Sequence, residues 1–295
     1  MLDQQLHGKT SLGVDLAKEI NGEIISADSM QIYKQLSIGT AKVTEEEMEG
    51  INHHLVDFLD IDCDFSVANF KELAIKKIDE ILAKNKIPII VGGTGLYVSS
   101  VVENMNFVDE KIDEEYRNYL YDLANKKGNE YIYDMLVKVD EFAASKIHPN
   151  NLKRVIRALE MAKSNKTKTQ RLIEQNQNNK YNFDIYCLKW DKETLNNRIN
   201  LRVDNMINLG LEEEAKIVST LKKGTLRQAI GYKEFQSYFE NKKELKEVIE
   251  EIKLRTRQYA KRQMTWFNRI KNIKFLDATQ KKVELIEEIK RNLYE

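Results

Sequence analysis

Only two of the 295 residues are cysteine, Cys63 and Cys187, and neither belongs to a C-x-x-C pair. Disulfide frameworks and thiolate metal cages need more thiols at closer spacing, so both are excluded; such sparse usage fits a reducing cytoplasm. Histidine is scarce as well, with four scattered residues that leave no zinc cluster. No apolar run approaches the roughly 18 residues of a membrane span, and the first residues do not read as a signal peptide. Net charge is missing too. The 47 basic side chains balance 47 acidic ones, so no global field draws the chain to nucleic acid and any basic surface must be local. Internal repeats and low-complexity tracts are absent. What remains is 42% hydrophobic and 32% charged, ordinary for a helix-rich globular protein. The length suits one large domain or two modest ones.

Strands and helices alternate over the first hundred residues. "TSLGVDLAKEI" has helical spacing, "GEIISAD" reads as a short strand, "FSVANFKELAIKKIDEILAKNK" is a long amphipathic helix, and "IPIIVGG" is a buried strand feeding the helix "TGLYVSSVVENM". This order predicts a parallel sheet with its sites at the strands' carboxyl ends. From about residue 112 to 180 the apolar strands vanish and four helical segments follow one another. "FDIYCLKW" and "IKFLD" restore strand character near the end. The expected organisation is an α/β core over residues 1–111 and 181–295, interrupted by a helical insertion at 112–180.

Six stretches carry residues suited to chemistry. The opening "MLDQQLHGKTSLGVDLA" holds Gly8, Lys9 and Thr10, the back half of a phosphate loop G-x-x-x-x-G-K-[ST]. Helix-opening N–H groups, an ammonium and a hydroxyl suit phosphate and Mg²⁺. The front half departs from the pattern: Asp3 stands where the first loop glycine belongs, and no apolar strand is expected before it. Asp28, in "IISADSMQIYKQLSIGTAK", lies just past a strand end, where a carboxylate can accept a proton or, more plainly, close an Asx-turn. The glycines of "VGGTGLYVSSV" surround Thr94 and free the backbone for close approach to a ligand, or for a tight turn with positive φ. "IHPNNLKRVIRALE" sets Lys153, Arg154 and Arg157 on a helix, either as a phosphate grip or as a solvated face. In "LRQAIGYKEF", Gly231 breaks a helical pattern and suggests close approach. "KLRTRQYAKRQMTWFNRIKNIK" contains no acidic residue, so Arg255, Arg257, Lys261 and Arg262 form a candidate RNA-backbone stripe, with Trp266 and Phe267 assigned to packing.

In their order and spacing, HGKT, "NGEIISADSMQIYKQLSIGTAK", "VGGTGLYV", "IHPNNLKRVIRALE", "AIGYKEF" and "AKRQMTWF" closely resemble the bacterial tRNA isopentenyltransferase family along nearly the whole chain. The resemblance implies an α/β, P-loop-like core, a parallel sheet flanked by helices, with an inserted all-helical domain that closes over the anticodon stem-loop of tRNA. It implies transfer of a dimethylallyl group from dimethylallyl diphosphate to N6 of adenosine 37, with Mg²⁺ as cofactor, in a cytoplasmic, monomeric enzyme that needs no membrane. Carried over by position, Asp28 is the general base on the amine and Thr94 stands where amine and diphosphate meet. Gly8, Lys9 and Thr10 hold the diphosphate, with Thr10 near Mg²⁺. Asp28, Ser29, Met30, Gln31, Arg117, Lys153, Arg154, Arg157, Gln228 and Lys233 match tRNA-contacting positions. The start of the chain departs from the family pattern, which implies a weak diphosphate hold and a displaced first segment. Three other readings stay open at this point: a P-loop kinase of small molecules, an isopentenyltransferase acting on free adenine nucleotide, and a non-catalytic RNA-binding remnant.

Overall fold

The computed structural model describes residues 2–3, 8–105, 107, 113–163, 167, 180–222 and 224–294. The chain divides into two compact units, Met1–Val101 with Phe183–Glu295, and Val102–Asn182.

The larger unit begins with β1 (Leu2–Asp3), α1 (Gly8–Glu19), β2 (Gly22–Ser26), α2 (Glu45–Met48), β3 (His53–His54), α3 (Val67–Leu82), β4 (Ile87–Val91) and α4 (Gly95–Val102). The helical stretch contributes α5 (Glu114–Lys127), α6 (Asn129–Val139), α7 (Glu141–Ser145) and α8 (Leu152–Lys163). The larger unit resumes with β5 (Ile185–Lys189), α9 (Lys192–Asn208), α10 (Leu211–Ser219), α11 (Gln236–Phe239), α12 (Leu245–Phe267), β6 (Ile273–Asp277) and α13 (Lys282–Tyr294).

Among the described residues all four strand pairings are parallel, but they form two three-stranded sheets, β3-β2-β4 and β1-β5-β6, where the sequence suggested one. The division follows from β1. Its two residues pair with Cys187 and Leu188 of β5, and among the described residues no ladder joins it to β4. This also corrects the expectation that no strand precedes the phosphate-loop residues; residues 4–7, where the rest of that loop would stand, lie outside the described residues.

Burial explains the strand order. Every residue of β2 is buried, as a central parallel strand requires. In α3, Phe70, Ala74, Ile78 and Ile81 make one buried face, entered through a capping box between Ser66 and Asn69. Phe70 stacks on Tyr97 of α4 with ring centroids 4.1 Å apart. One core cluster takes Ile24, Ile89 and Val91 from the first sheet and Tyr186, Leu188 and Leu276 from the second, bridged by Leu12, Leu16 and Ile20 and by Leu285, Ile286 and Ile289 of α13. Each fully buried aliphatic side chain there contributes roughly 1.5–3 kcal/mol, so helix α1 is held by both sheets. A second cluster joins Ile32, Tyr33 and Leu36 to Val203, Met206, Leu211, Tyr232, Phe235, Val248 and Ile252. It fixes the loop after β2 against the helices of the chain's last third. The helical unit has its own core, with Leu120, Ile132, Leu136, Val155, Ile156 and Leu159 almost wholly buried.

Candidate active site

Burial of β2 to its last residue delivers Asp28 to the mouth of the first sheet. Asp28 Oδ1 accepts the Met30 N–H at 3.0 Å. This is an Asx-turn, and it anchors the carboxylate at the strand end. Thr94 stands at the matching place after β4. Its Oγ1 accepts the Ser29 N–H at 2.9 Å and donates to Ser29 Oγ at 3.2 Å, while its own N–H donates to the Ala27 carbonyl at 3.1 Å. Thr94 therefore holds the 27–29 loop in place.

The glycines beside Thr94 have a different reason from the one the sequence suggested. None of Gly92, Gly93 and Gly95 has positive φ. A Cβ at Gly92 would lie 2.3 Å from the Ala27 carbonyl oxygen, one at Gly95 2.6 Å from the Trp266 ring, and one at Gly93 2.5 Å from Gln263 Nε2 and 3.3 Å from Lys9 Nζ. The close approaches are to the protein's own groups. Gln263 donates to the Gly93 carbonyl at 2.7 Å, and Trp266 donates its indole N–H to Ser99 Oγ at 2.9 Å. Phe267 is fully buried, so both aromatics pack as expected.

A cavity of about 350 Å³ opens in front of these elements. Lys9 and Thr10 from the first turn of α1 line it together with Asp28, Ser29, Met30, Gln31, Gln228 and Lys233. Gly8 opens the same helix. The cavity also takes in Arg202 of α9, which the sequence did not single out, and it recruits Tyr259 and Arg262 from the basic stripe on α12. Its charged walls are lopsided: Lys9, Arg202, Lys233 and Arg262 face one carboxylate, Asp28. Burial, then the nearby Asp28 charge, pushes the Tyr259 phenol up to about 12, so it is a hydrogen-bond donor at neutral pH. Lys9, Thr10 and Asp28 also border a second void that is narrow and largely apolar, with Val43, Val56 and Val91 in its walls. His53 lines that void; its Nδ1 lies 2.9 Å from the Ile51 carbonyl, and its Nε2 is buried without a hydrogen-bond partner.

Gly231 corrects the reading of a glycine inside a helix. It sits between the 3₁₀ turns Leu226–Gln228 and Lys233–Phe235 with φ of +96°, and nothing stands within 4 Å of an added Cβ. The left-handed backbone, not a close neighbour, demands glycine there. Its N–H donates to Glu234 Oε2 at 2.9 Å.

The basic stripe on α12 is also less uniform than its composition implied. Arg255 pairs with Glu251 at 3.3 Å, Lys253 with Asp204 at 2.7 Å, and Arg257 donates to Asn200. Acids one turn back or on α9 reach the stripe, which a linear reading cannot see. Lys261 and Arg262 remain exposed. In the helical unit, Arg117 is bound bidentately by Glu160 at 2.7 and 2.9 Å, and Arg157 reaches the same carboxylate at 3.5 Å. Lys153 and Arg154 are exposed on α8.

Comparison with known proteins adds an independent line. A family model described as IPP transferase matches residues 31–270. The chain is 48% identical over 278 residues to a tRNA dimethylallyltransferase of Acetivibrio thermocellus, covering 92% of this chain and 89% of that protein. Among solved structures, a tRNA isopentenylpyrophosphate transferase from Bacillus halodurans superposes with a TM-score of 0.72 at 42% identity, over 97% of this chain and 92% of that one. A eukaryotic dimethylallyltransferase acting on tRNA superposes with a TM-score of 0.78 at 33% identity, over 94% and 73% of the two chains.

Proposed function

The chain belongs to the IPP transferase family, and from that premise we propose that it transfers a dimethylallyl group from dimethylallyl diphosphate to N6 of adenosine 37, beside the anticodon of tRNA, releasing diphosphate. The observation that carries this reading is the make-up of one cavity: Lys9, Arg202, Lys233 and Arg262 around the single carboxylate of Asp28. A site built to bind and release diphosphate needs that excess of cations, and a site that deprotonates an amine needs one base.

An adenine amine is a weak nucleophile, and diphosphate leaves only if its growing charge is met. Lys9 and the N–H groups opening α1 meet it; removing one such donor typically costs about 10²–10³ in rate. As N6 bonds to the allylic carbon, the carbon–oxygen bond to diphosphate breaks and Asp28 takes the amine proton, worth about 10²–10⁴. Thr94 and the Asx-turn keep Asp28 where the amine arrives. The Thr10 hydroxyl, a hard oxygen donor beside Lys9, would help hold Mg²⁺ against the diphosphate, and the ion would supply further charge neutralisation.

Turning adenosine 37 out of its stack costs a few kcal/mol, less in a loop than in a duplex. Ser29, Met30, Gln31, Gln228 and Lys233 receive the base and its neighbours, and the exposed Lys153 and Arg154 on α8 supply backbone contacts. Arg117, held by Glu160, and Arg157 complete that basic face. Such work on tRNA belongs in the cytoplasm; among the described residues no helix is long and apolar enough to cross a membrane.

The test offers the protein dimethylallyl diphosphate with an anticodon stem-loop carrying adenosine 37, and with adenosine monophosphate in a parallel reaction. Nucleoside mass spectrometry should find the dimethylallyl group on the RNA adenosine and none on the mononucleotide. Modification of the mononucleotide alone, or of neither, would overturn the reading.

A further inference from the structure

Two walls of the large cavity are turns that distant parts of the chain supply, one at Gly39, Thr40 and Ala41, the other running from Gln228 to Lys233. Behind them stands Glu214 of α10, which is 6% exposed and does not line the cavity. Its Oε2 accepts the backbone N–H groups of Ser37 at 2.7 Å and Ile38 at 3.0 Å. Its Oε1 accepts that of Gly39 at 2.8 Å and the Tyr232 hydroxyl at 2.7 Å. Three successive amides converging on one point make a nest for an anion, and here the protein fills the nest with its own carboxylate.

Through Tyr232 the same carboxylate grips the second wall, because Tyr232 lies between Gly231 and Lys233. The two walls also touch directly: a Cβ at Gly39 would lie 2.7 Å from the Tyr232 ring. The bonding continues toward the reacting carboxylate. Gln31 Nε2 donates to the Ala41 carbonyl at 2.8 Å and the Thr40 carbonyl at 3.4 Å, and Gln31 follows directly on the Asx-turn of Asp28 and Met30. A continuous set of hydrogen bonds thus runs from the loop of Asp28, through both turns, to Glu214. The four bonds of Glu214 end on Ser37, Ile38, Gly39 and Tyr232, on the side of the cavity assigned to RNA, and not on Lys9 or Thr10.

We propose that Glu214, working through Tyr232, is a positioning residue that sets the separation of the two turns and hence how tightly the RNA seats between them. This inference rests on the cavity being the meeting place of RNA and diphosphate. A residue that merely stabilised the fold would affect both substrates alike. A residue that holds only the RNA side should weaken use of RNA and spare use of diphosphate.

Steady-state transfer to an anticodon stem-loop separates the two. Tyr232→Phe removes one bond and leaves the nest filled. Glu214→Gln keeps one acceptor oxygen but sets a side-chain N–H against two of the four donors. Tyr232→Phe should raise the KM for RNA about tenfold, Glu214→Gln by more, with the KM for dimethylallyl diphosphate and the kcat within about twofold of the unmodified protein. If Glu214→Gln does not fold, Tyr232→Phe alone decides. Unchanged RNA KM values, or equal shifts for both substrates, would overturn the positioning role while leaving the proposed reaction intact. Absence of transfer by the unmodified chain would overturn both.

Discussion

Asp28 uses one oxygen for architecture and keeps a carboxylate at the cavity wall for the proposed chemistry. Asparagine in its place can still accept the Met30 N–H, because the Asx-turn needs only the side-chain oxygen. Asp28→Asn is therefore expected to leave the fold and RNA affinity nearly intact while single-turnover transfer falls at least about 10²-fold. A variant with the unmodified rate would remove Asp28 from the mechanism. Asp28 was legible because a polar residue just past an apolar strand has few places to go, and Lys9 because Gly-Lys-Thr opens a helix. Arg202 and Gln263 were not. Helical periodicity says which side of α9 or α12 is buried, but not what it is buried against. Gln263 meets Gly93 across 170 residues of chain, and Glu214 meets Ser37 across 177. Only tertiary packing brings such pairs together, through the second core cluster in the case of Glu214 and Ser37. The basic stripe failed in part for the same reason, since the acids that partner it stand one turn back or on another helix.

Three elements of the first sheet are tied at one carboxylate far from the site. Glu23, on β2, is 1% exposed; it lies 2.7 Å from His54 Nε2 on β3 and accepts from Asn52 at 3.1 Å, from Lys86 at 2.8 Å and from Lys84 at 3.4 Å. Burial alone would raise its carboxyl, but hydrogen bonds from Lys86, His54, Asn52 and Lys84 outweigh it and hold the group well below the usual carboxylate range. A carboxyl lowered in the folded state contributes stability that is fully present above its unfolded value. That contribution is lost as pH falls through the ordinary carboxylate range toward the folded value. The melting temperature is accordingly expected to drop as pH falls below about 4.5. Glu23→Gln should cost about 1–3 kcal/mol at neutral pH, because its lysines are partly solvated, and should flatten that acid limb. An acid limb of unchanged slope in the variant would assign it to other carboxylates. The sequence could show β2 as a short strand around Ile24 and Ile25, but a buried glutamate at its start is explained only by the partners that β3 and the α3–β4 turn deliver.

At the scale of the whole molecule, a net charge of zero means that attraction to RNA depends on where cations are left uncompensated. Lys261 near the end of α12 and Arg269 in the turn after it are exposed, whereas Arg255 is paired with Glu251. Neutralising Lys261 and Arg269 together should flatten the logarithmic salt dependence of stem-loop binding by up to roughly 0.7 per lost contact; Arg255→Gln should leave it nearly unchanged. Equal slopes in all three proteins would confine the RNA backbone to other surfaces. The two sheets carry a further consequence. Their ladders are separate, yet α1 is packed on both and is strapped to α13 by Lys282 at Ser11 and Asp15 and by Lys290 at Glu19. Helix α1 thus acts as a keystone whose half-buried first turn is the proposed phosphate grip. A ligand seated there at 100 times its Kd adds about 2.7 kcal/mol to the folded state, and a keystone must share that gain with both sides it supports. Diphosphate should slow amide hydrogen exchange at Ile24 and Ile25 and at Cys187 and Leu188 by similar factors. Slowing confined to the first pair would mean that the two sheets open independently. Similar slowing in both would make occupancy of the reaction site, rather than any strand, the element that joins the halves of the core.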